Sequence, residues 1–241
     1  MAAIILQARG LRRAFGGINA VDGVDFELNQ GEIHALIGPN GAGKTTFVGL
    51  LSGRITPDAG QIQLSGHDIT KLPAYARVQK GIAYTFQITS IFPGLSVFDN
   101  VALAAQSRGA RNLETAVKDA LHRVGLNDAG GKIAGTLSYG HQRVLELAMG
   151  LALAPQIIIL DEPTQGLASG EIDTFVKLIR TLVPKMTVLL IEHNMEVVMD
   201  LADRITVLNH GKTLARGTPA EIRANTAVQA AYLGGSDIAS A

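Results

Sequence analysis

The 241-residue chain contains no cysteine and no tryptophan, and aromatic residues make up only 5% of it. Without cysteine there is neither a disulfide framework nor a thiolate metal site, which fits a reducing compartment. Net charge is absent as well, because 21 basic residues balance 21 acidic ones. Affinity for phosphate backbones and anionic membranes grows with the number of cations brought to them, so this balance argues against a general nucleic-acid or membrane-surface binder. Long apolar runs are also missing. The run at residues 2–6 is far shorter than a signal-peptide core and has no basic leader, so it is expected to be a first strand. The longest run, residues 147–160, is interrupted by Gly150, Pro155 and Gln156 and falls short of the roughly 20 residues that cross a bilayer. No segment is expected to span a membrane, and a membrane role must come through a partner. Internal repeats, low-complexity linkers and long charge runs are lacking too.

What is there is an ordinary globular composition, 47% hydrophobic and 17% charged, at a length that buries roughly 70% of the unfolded chain's surface. Residues 24–28 alternate apolar and polar, the turn Asn29-Gln30-Gly31 follows, and residues 32–37 resume as a more continuously apolar strand; this pair is expected to form a hairpin. Residues 61–64 make another short strand before Ser65-Gly66. Residues 96–106 and 112–124 carry apolar side chains at helical spacing, with breaks at Gly109 and Gly125, and predict a small helical lobe. An amphipathic helix is expected over 141–153, with Val144, Leu145, Ala148, Leu151 and Ala152 on its apolar face. Residues 157–160 and 188–191 are short, β-branched and apolar throughout, as central parallel strands are, and Phe175, Leu178, Ile179 and Leu182 mark a helix between them. A closing hairpin over 205–215 turns at His210-Gly211, and Thr218-Pro219-Ala220-Glu221 has the residues of a helix start.

Three stretches carry chemistry. Gly38-Pro39-Asn40-Gly41-Ala42-Gly43-Lys44-Thr45-Thr46 follows a predicted strand and opens a predicted helix. Glycines let successive amides turn inward onto phosphate oxygens, and the helix N-terminus adds partial positive charge. Lys44 is then placed for the β- and γ-phosphates of ATP and Thr45 for Mg²⁺. Residues 157–162 form an apolar strand ending in Asp161 and Glu162. Read alone, Asp-Glu-Pro is an exposed acidic turn; with a phosphate loop in the same chain, Asp161 is expected to hold Mg²⁺ and Glu162 to act as base toward an attacking water. Ser138, Gly140 and His141 sit at the start of the amphipathic helix, where Ser138 can simply cap it or contribute to a second anion site.

The order of these motifs, with Gln87 in Thr85-Phe86-Gln87 and His193 in Ile191-Glu192-His193, resembles the ATP-binding cassette (ABC) ATPases over roughly residues 6–233. The resemblance implies an α/β fold: a P-loop NTPase core with a mostly parallel sheet and an antiparallel β subdomain (1–86 and 155–241), and a small α-helical subdomain with the signature motif (88–154), in one ABC ATPase domain. It implies ATP and Mg²⁺ as ligands, with Thr45, Gln87 and Asp161 toward the metal and Glu162, Gln87 and His193 catalytic. His193, which alone reads as a structural histidine, becomes a γ-phosphate switch. Phe15, otherwise a core aromatic, becomes the adenine platform. The signature of one subunit closes on the ATP of another, which explains a second anion site on one chain. Partners implied are a second ABC ATPase subunit, identical or similar, two transmembrane permease subunits and, indirectly, a solute-binding protein, with no nucleic acid, at the cytoplasmic face of the inner membrane.

Two departures stand out: Tyr139 and His141 replace the commonest glycine and glutamine of the signature, and residues 166–169 lack the aspartate seen there in many members. A closer resemblance is to the ATP-binding subunits of branched-chain and other hydrophobic amino-acid importers. It is carried by Phe15-Gly16-Gly17, Ala20-Val21, Ile91-Phe92-Pro93, Leu95-Ser96-Val97, Glu192-His193-Asn194-Met195, residues 217–222 and Ala231-Tyr232-Leu233-Gly234. ATPases of urea or short-amide importers, and soluble ABC ATPases outside transport, are the alternatives. A P-loop protein that only binds ATP would have no need of Glu162 beside Asp161.

Overall fold

A computed structural model describes residues 3–85 and 90–233. In chain order the elements are β1 (Ile4–Phe15), β2 (Ile18–Asn29), β3 (Ile33–Ile37), α1 (Lys44–Ser52), β4 (Ala59–Leu64), β5 (His67–Asp68), α2 (Ala74–Gln79), β6 (Ile82–Thr85), α3 (Val97–Ser107), α4 (Leu113–Arg123), α5 (Tyr139–Ala152), β7 (Ile157–Asp161), α6 (Ser169–Leu182), β8 (Thr187–Ile191), α7 (Met195–Leu201), β9 (Arg204–Asn209), β10 (Lys212–Gly217), α8 (Pro219–Ala224) and α9 (Thr226–Leu233). The chain divides into two compact units, Met1–Arg77 with Val183–Ala241, and Val78–Leu182.

In the first unit β1 and β2 form an antiparallel hairpin that turns at Gly16 and Gly17, both at positive φ, and β4 and β5 extend it in the order β2-β1-β4-β5. The expected pairing of residues 24–28 with 32–37 is therefore corrected. β2 pairs with β1, whereas β3 runs parallel to both β8 and β9. The reason is burial: β2 alternates, with Val24, Phe26 and Leu28 inside, while all five residues of β3 are buried, as a strand covered on both faces requires. Phe26 joins the two sheets, packing edge-on to Phe47 of α1 (5.5 Å) and against His34 of β3 (4.8 Å). The hairpin β9–β10 turns at His210-Gly211, both at positive φ, and α8 begins with a complete capping box between Thr218 and Glu221, each as expected.

In the second unit β6 and β7 pair in parallel from Ile82↔Ile157 to Thr85↔Leu160. Helices α3, α4 and α5 start on the caps Ser96, Asn112 and Ser138. They pack through Val97, Val101 and Ala105, through Val117 and Leu121, and through Leu145, Ala148 and Leu151. Helix α6 buries Phe175, Ile179 and Leu182. Among the described residues no helix is long and apolar enough to cross a membrane.

Candidate active site

The phosphate loop lies between fully buried β3 and α1. Gly38 and Gly43 are there because nothing larger fits: a Cβ on Gly38 runs into the carbonyl oxygen of Leu208, and one on Gly43 into that of Ala20. Gly43 also sits at φ 97°, in the left-handed region, where it begins the helix. Gly41 (φ 78°) faces open space, and Asn40 and Thr45 are exposed, so this side of the loop is accessible. The loop is held from behind by Gly211 N–H donating to the Ala42 carbonyl (3.0 Å) and by Ala42 N–H to the Pro39 carbonyl (3.1 Å). Lys44 is folded across it, donating from Nζ to the carbonyls of Gly38 (2.5 Å) and Pro39 (3.1 Å). Thr46 lies in the first turn of α1.

The same unit carries Phe15 and His193. Phe15 pairs with Ile18 at the end of the hairpin whose Ala20 touches Gly43. Phe15 is 46% exposed, an unusual position for an aromatic whose only task is packing. Arg13 stacks on it at 4.8 Å and is itself held by Asp58 (2.7 Å) and the Thr56 carbonyl (3.2 Å). His193 is exposed on the turn after β8. Sequence reasoning missed what fixes that turn: the buried Glu192 carboxylate accepts the amides of His193 (2.9 Å) and Asn194 (3.1 Å), and Asn194 caps α7. An acid directly after an apolar strand was the available signal.

The second unit carries Asp161, Glu162 and the signature residues. Asp161 ends β7 and is buried. Glu162 leaves the strand at φ 48°, a conformation costly for a residue with a side chain and characteristic of functional turns. Ser138 caps α5, its Oγ accepting the amide of His141 (3.3 Å) and contacting that ring's Nδ1 (2.8 Å). Capping by Ser138 is thus realised; Ser138 and His141 are exposed at this helix N-terminus, an end of the kind that attracts anions, while Gly140 is buried. The two departures from the expected pattern meet here. A Cβ on Gly166 lies 3.0 Å from the Tyr139 ring, and one on Gly140 collides with the Glu171 carboxylate, which also accepts the Ala168 amide (3.0 Å). Tyr139 and Glu171 thus join the start of α5 to residues 166–168. Gln87 lies outside the described residues.

Residues 21–165 match the family profile described as ABC transporter. The chain belongs to the ABC transporter ATP-binding family. Its members are the ATPase subunits of transporters, and the chain is an ATP-binding, ATP-hydrolysing subunit of this kind. Residues 212–238 match a further profile, branched-chain amino acid ATP-binding cassette transporter. The cassette is 40% identical over 250 residues to the high-affinity branched-chain amino acid transport ATP-binding protein BraF of Pseudomonas aeruginosa, covering 95% of this chain and 98% of that one. It is 38% identical over 249 residues to LivG of Escherichia coli, with the same coverage. Among solved structures it is similar to MJ1267, an ATP-binding cassette of an ABC transporter, in its ADP conformation. That match has a TM-score of 0.85 and 26% identity, covering 96% of this chain and 99% of the other. A nucleotide-free ATP-binding cassette matches with TM-score 0.86 and 26% identity, covering 95% and 98%. The ABC ATPase fold expected from the motifs is the fold found.

Proposed function

We propose that this cassette powers the import of branched-chain amino acids through two permease subunits, working at the cytoplasmic face of the inner membrane, with a solute-binding protein choosing the solute. The observation that supports this most is the correspondence, from end to end of both chains, with BraF and LivG, together with the match of residues 212–238. In this reading residues 1–86 and 155–241 serve as the ATP-binding core and residues 88–154 as the helical part. The permease contact falls on an apolar patch of that helical part. Phe92, Leu95 and Ile133 are 52%, 38% and 46% exposed on adjoining backbone, and buried Asn100 clamps the turn by accepting the Phe92 amide (2.7 Å) and donating to the Phe92 and Ser96 carbonyls.

Two cassettes, identical or similar, face each other so that each ATP lies between residues 38–46 of one and Ser138, Gly140 and His141 of the other. Phe15 stacks on adenine. Loop amides and Lys44 hold the phosphates, Lys44 exchanging its carbonyl partners for phosphate oxygens. Among the described residues there is no cluster of three or more metal-binding side chains. The oxygen donors of Asp161 and Thr45, a carboxylate and a hydroxyl, suit Mg²⁺, which takes few ligands from protein and completes its shell with phosphate and water. Thr45 and Asp161, with Gln87, are the residues to hold it, and when bound it neutralises phosphate charge. Glu162 orients the attacking water and accepts its proton as the γ-phosphoryl leaves ADP, while His193 steadies the γ-phosphate.

Glu162→Gln is expected to bind ATP as the parent does, to lose hydrolysis by about 100-fold or more, and to elute as an ATP-locked dimer from a sizing column. Hydrolysis at the parental rate removes the base assignment. With co-purified permeases and solute-binding protein in vesicles, ATP-dependent uptake of leucine without uptake of urea is expected; uptake of urea instead contradicts the solute assignment.

A further inference from the structure

Tyr84 is a residue that none of the nucleotide motifs includes, and it touches the most conspicuous acid of the site. Parallel pairing of β6 with β7 sets Tyr84 opposite Ile159. Side chains alternate along a strand, so Ile159 and Asp161 share a face, and a diagonal neighbour two residues on is within reach of a long aromatic side chain. The hydroxyl of Tyr84 donates to Oδ2 of Asp161 at 2.5 Å. Asp161 is buried, 6% exposed, and Tyr84 is partly buried. A carboxylate at the last position of a strand has two rotatable bonds and ordinarily little to choose its orientation; here one of its oxygens is occupied from the side by a group anchored in the neighbouring strand.

We propose that Tyr84 is a positioning residue for the Mg²⁺-holding carboxylate: by binding Oδ2 it fixes the orientation of Asp161 and leaves Oδ1 for the cation's coordination shell. This rests on the reading above that Asp161 serves Mg²⁺. Groups that orient a metal-binding carboxylate typically contribute ten- to a hundredfold to metal affinity. Tyr84 does not touch nucleotide in this account, so its effect is confined to the cation.

The test uses the full chain, ADP and Mn²⁺ in place of Mg²⁺, with bound Mn²⁺ followed by electron paramagnetic resonance and ADP affinity measured separately in excess EDTA. Tyr84→Phe keeps the ring and removes the hydroxyl. It is expected to weaken Mn²⁺ binding to the ADP complex about tenfold, with ADP affinity in EDTA unchanged and the thermal midpoint moved little. Asp161→Asn is the control and is expected to weaken Mn²⁺ more. If Asp161→Asn weakens Mn²⁺ while Tyr84→Phe binds it as the parent does, the positioning role is overturned and the role of Asp161 stands. If neither variant changes Mn²⁺ affinity, the assignment of Asp161 itself fails. A Tyr84→Phe protein whose ADP affinity in EDTA falls in parallel with its Mn²⁺ affinity also overturns the proposal, because the hydroxyl then supports the fold rather than the carboxylate.

Discussion

Arg77 brings a positive charge into the interior, 1% exposed, with no carboxylate among the described residues in direct contact. Its guanidinium donates to the carbonyls of Leu50 and Leu51 at the C-terminal end of α1, and to those of Thr70 and Leu72. Burial lowers its pKa to about 10, opposed by the more distant Asp68, so it remains charged at neutral pH. The cation also meets the negative end of the helix dipole. Arg77→Met strands four buried or partly buried carbonyls and is expected to cost about 3 kcal/mol, measured by urea unfolding. Gly43→Ala tests the other end of the same helix. Its methyl meets the Ala20 carbonyl at a left-handed φ, and ATP affinity is expected to fall by more than about tenfold while the fold persists. The two glycines were legible in the sequence because a phosphate loop states its backbone requirement in residue types. Arg77 and Tyr84 were not, because a buried arginine and a tyrosine across two strands acquire their roles only when distant segments meet.

At the level of elements, α3 to α6 and the strands β7 and β8 followed from periodicity, with glycine breaks marking their ends, whereas α2, α7, α9, β5 and β6 were not anticipated. Pairing did not. The short turn at residues 29–31 suggested a hairpin, yet the same turn passes the chain from an antiparallel sheet into a parallel one. What ties β3 to its neighbours is a buried polar chain: Asn29 binds Glu32 twice, Glu32 contacts His34 Nδ1 (3.1 Å), and His34 Nε2 meets the Thr206 hydroxyl (2.8 Å). Burial holds His34 below the usual imidazole range in spite of Glu32. Burial pushes Glu32 up, but hydrogen bonds from His34 and Asn29 outweigh it and hold the carboxyl below the carboxylate range. The unfolded chain therefore binds more protons than the folded one, first through the histidine and then through the glutamate. Stability is expected to fall as pH drops below about 6.5 and again below about 4.5, the ordinary values for these groups. Thermal midpoints taken from pH 7.5 to 5 check this, and His34→Gln is expected to flatten the first decline; an unchanged slope removes His34 as its source.

For the whole molecule the sequence was most informative about chemistry and least about assembly. The start of α5, where Ser138 and His141 are exposed, is one anion-attracting terminus and the phosphate loop is another; in the proposed reading these are the two half-sites that one chain carries. The aspartate absent from residues 166–169 does not leave that segment detached, because Glu171 and Tyr139 fasten it to the signature turn. Phe92, Leu95 and Ile133 leave apolar surface exposed, which the proposed reading gives to the permease. The account then makes each ATP site the joint product of two chains.

The most direct measurement mixes two crippled chains, both carrying Glu162→Gln so that bound ATP is retained. One also has Lys44→Ala, the other Ser138→Arg, and neither alone should form an ATP-locked dimer. Mixed, they rebuild one sound site from the phosphate loop of one and the signature of the other, and the account predicts dimers that retain one ATP each on gel filtration. A mixture that retains no more ATP than the separate chains contradicts it.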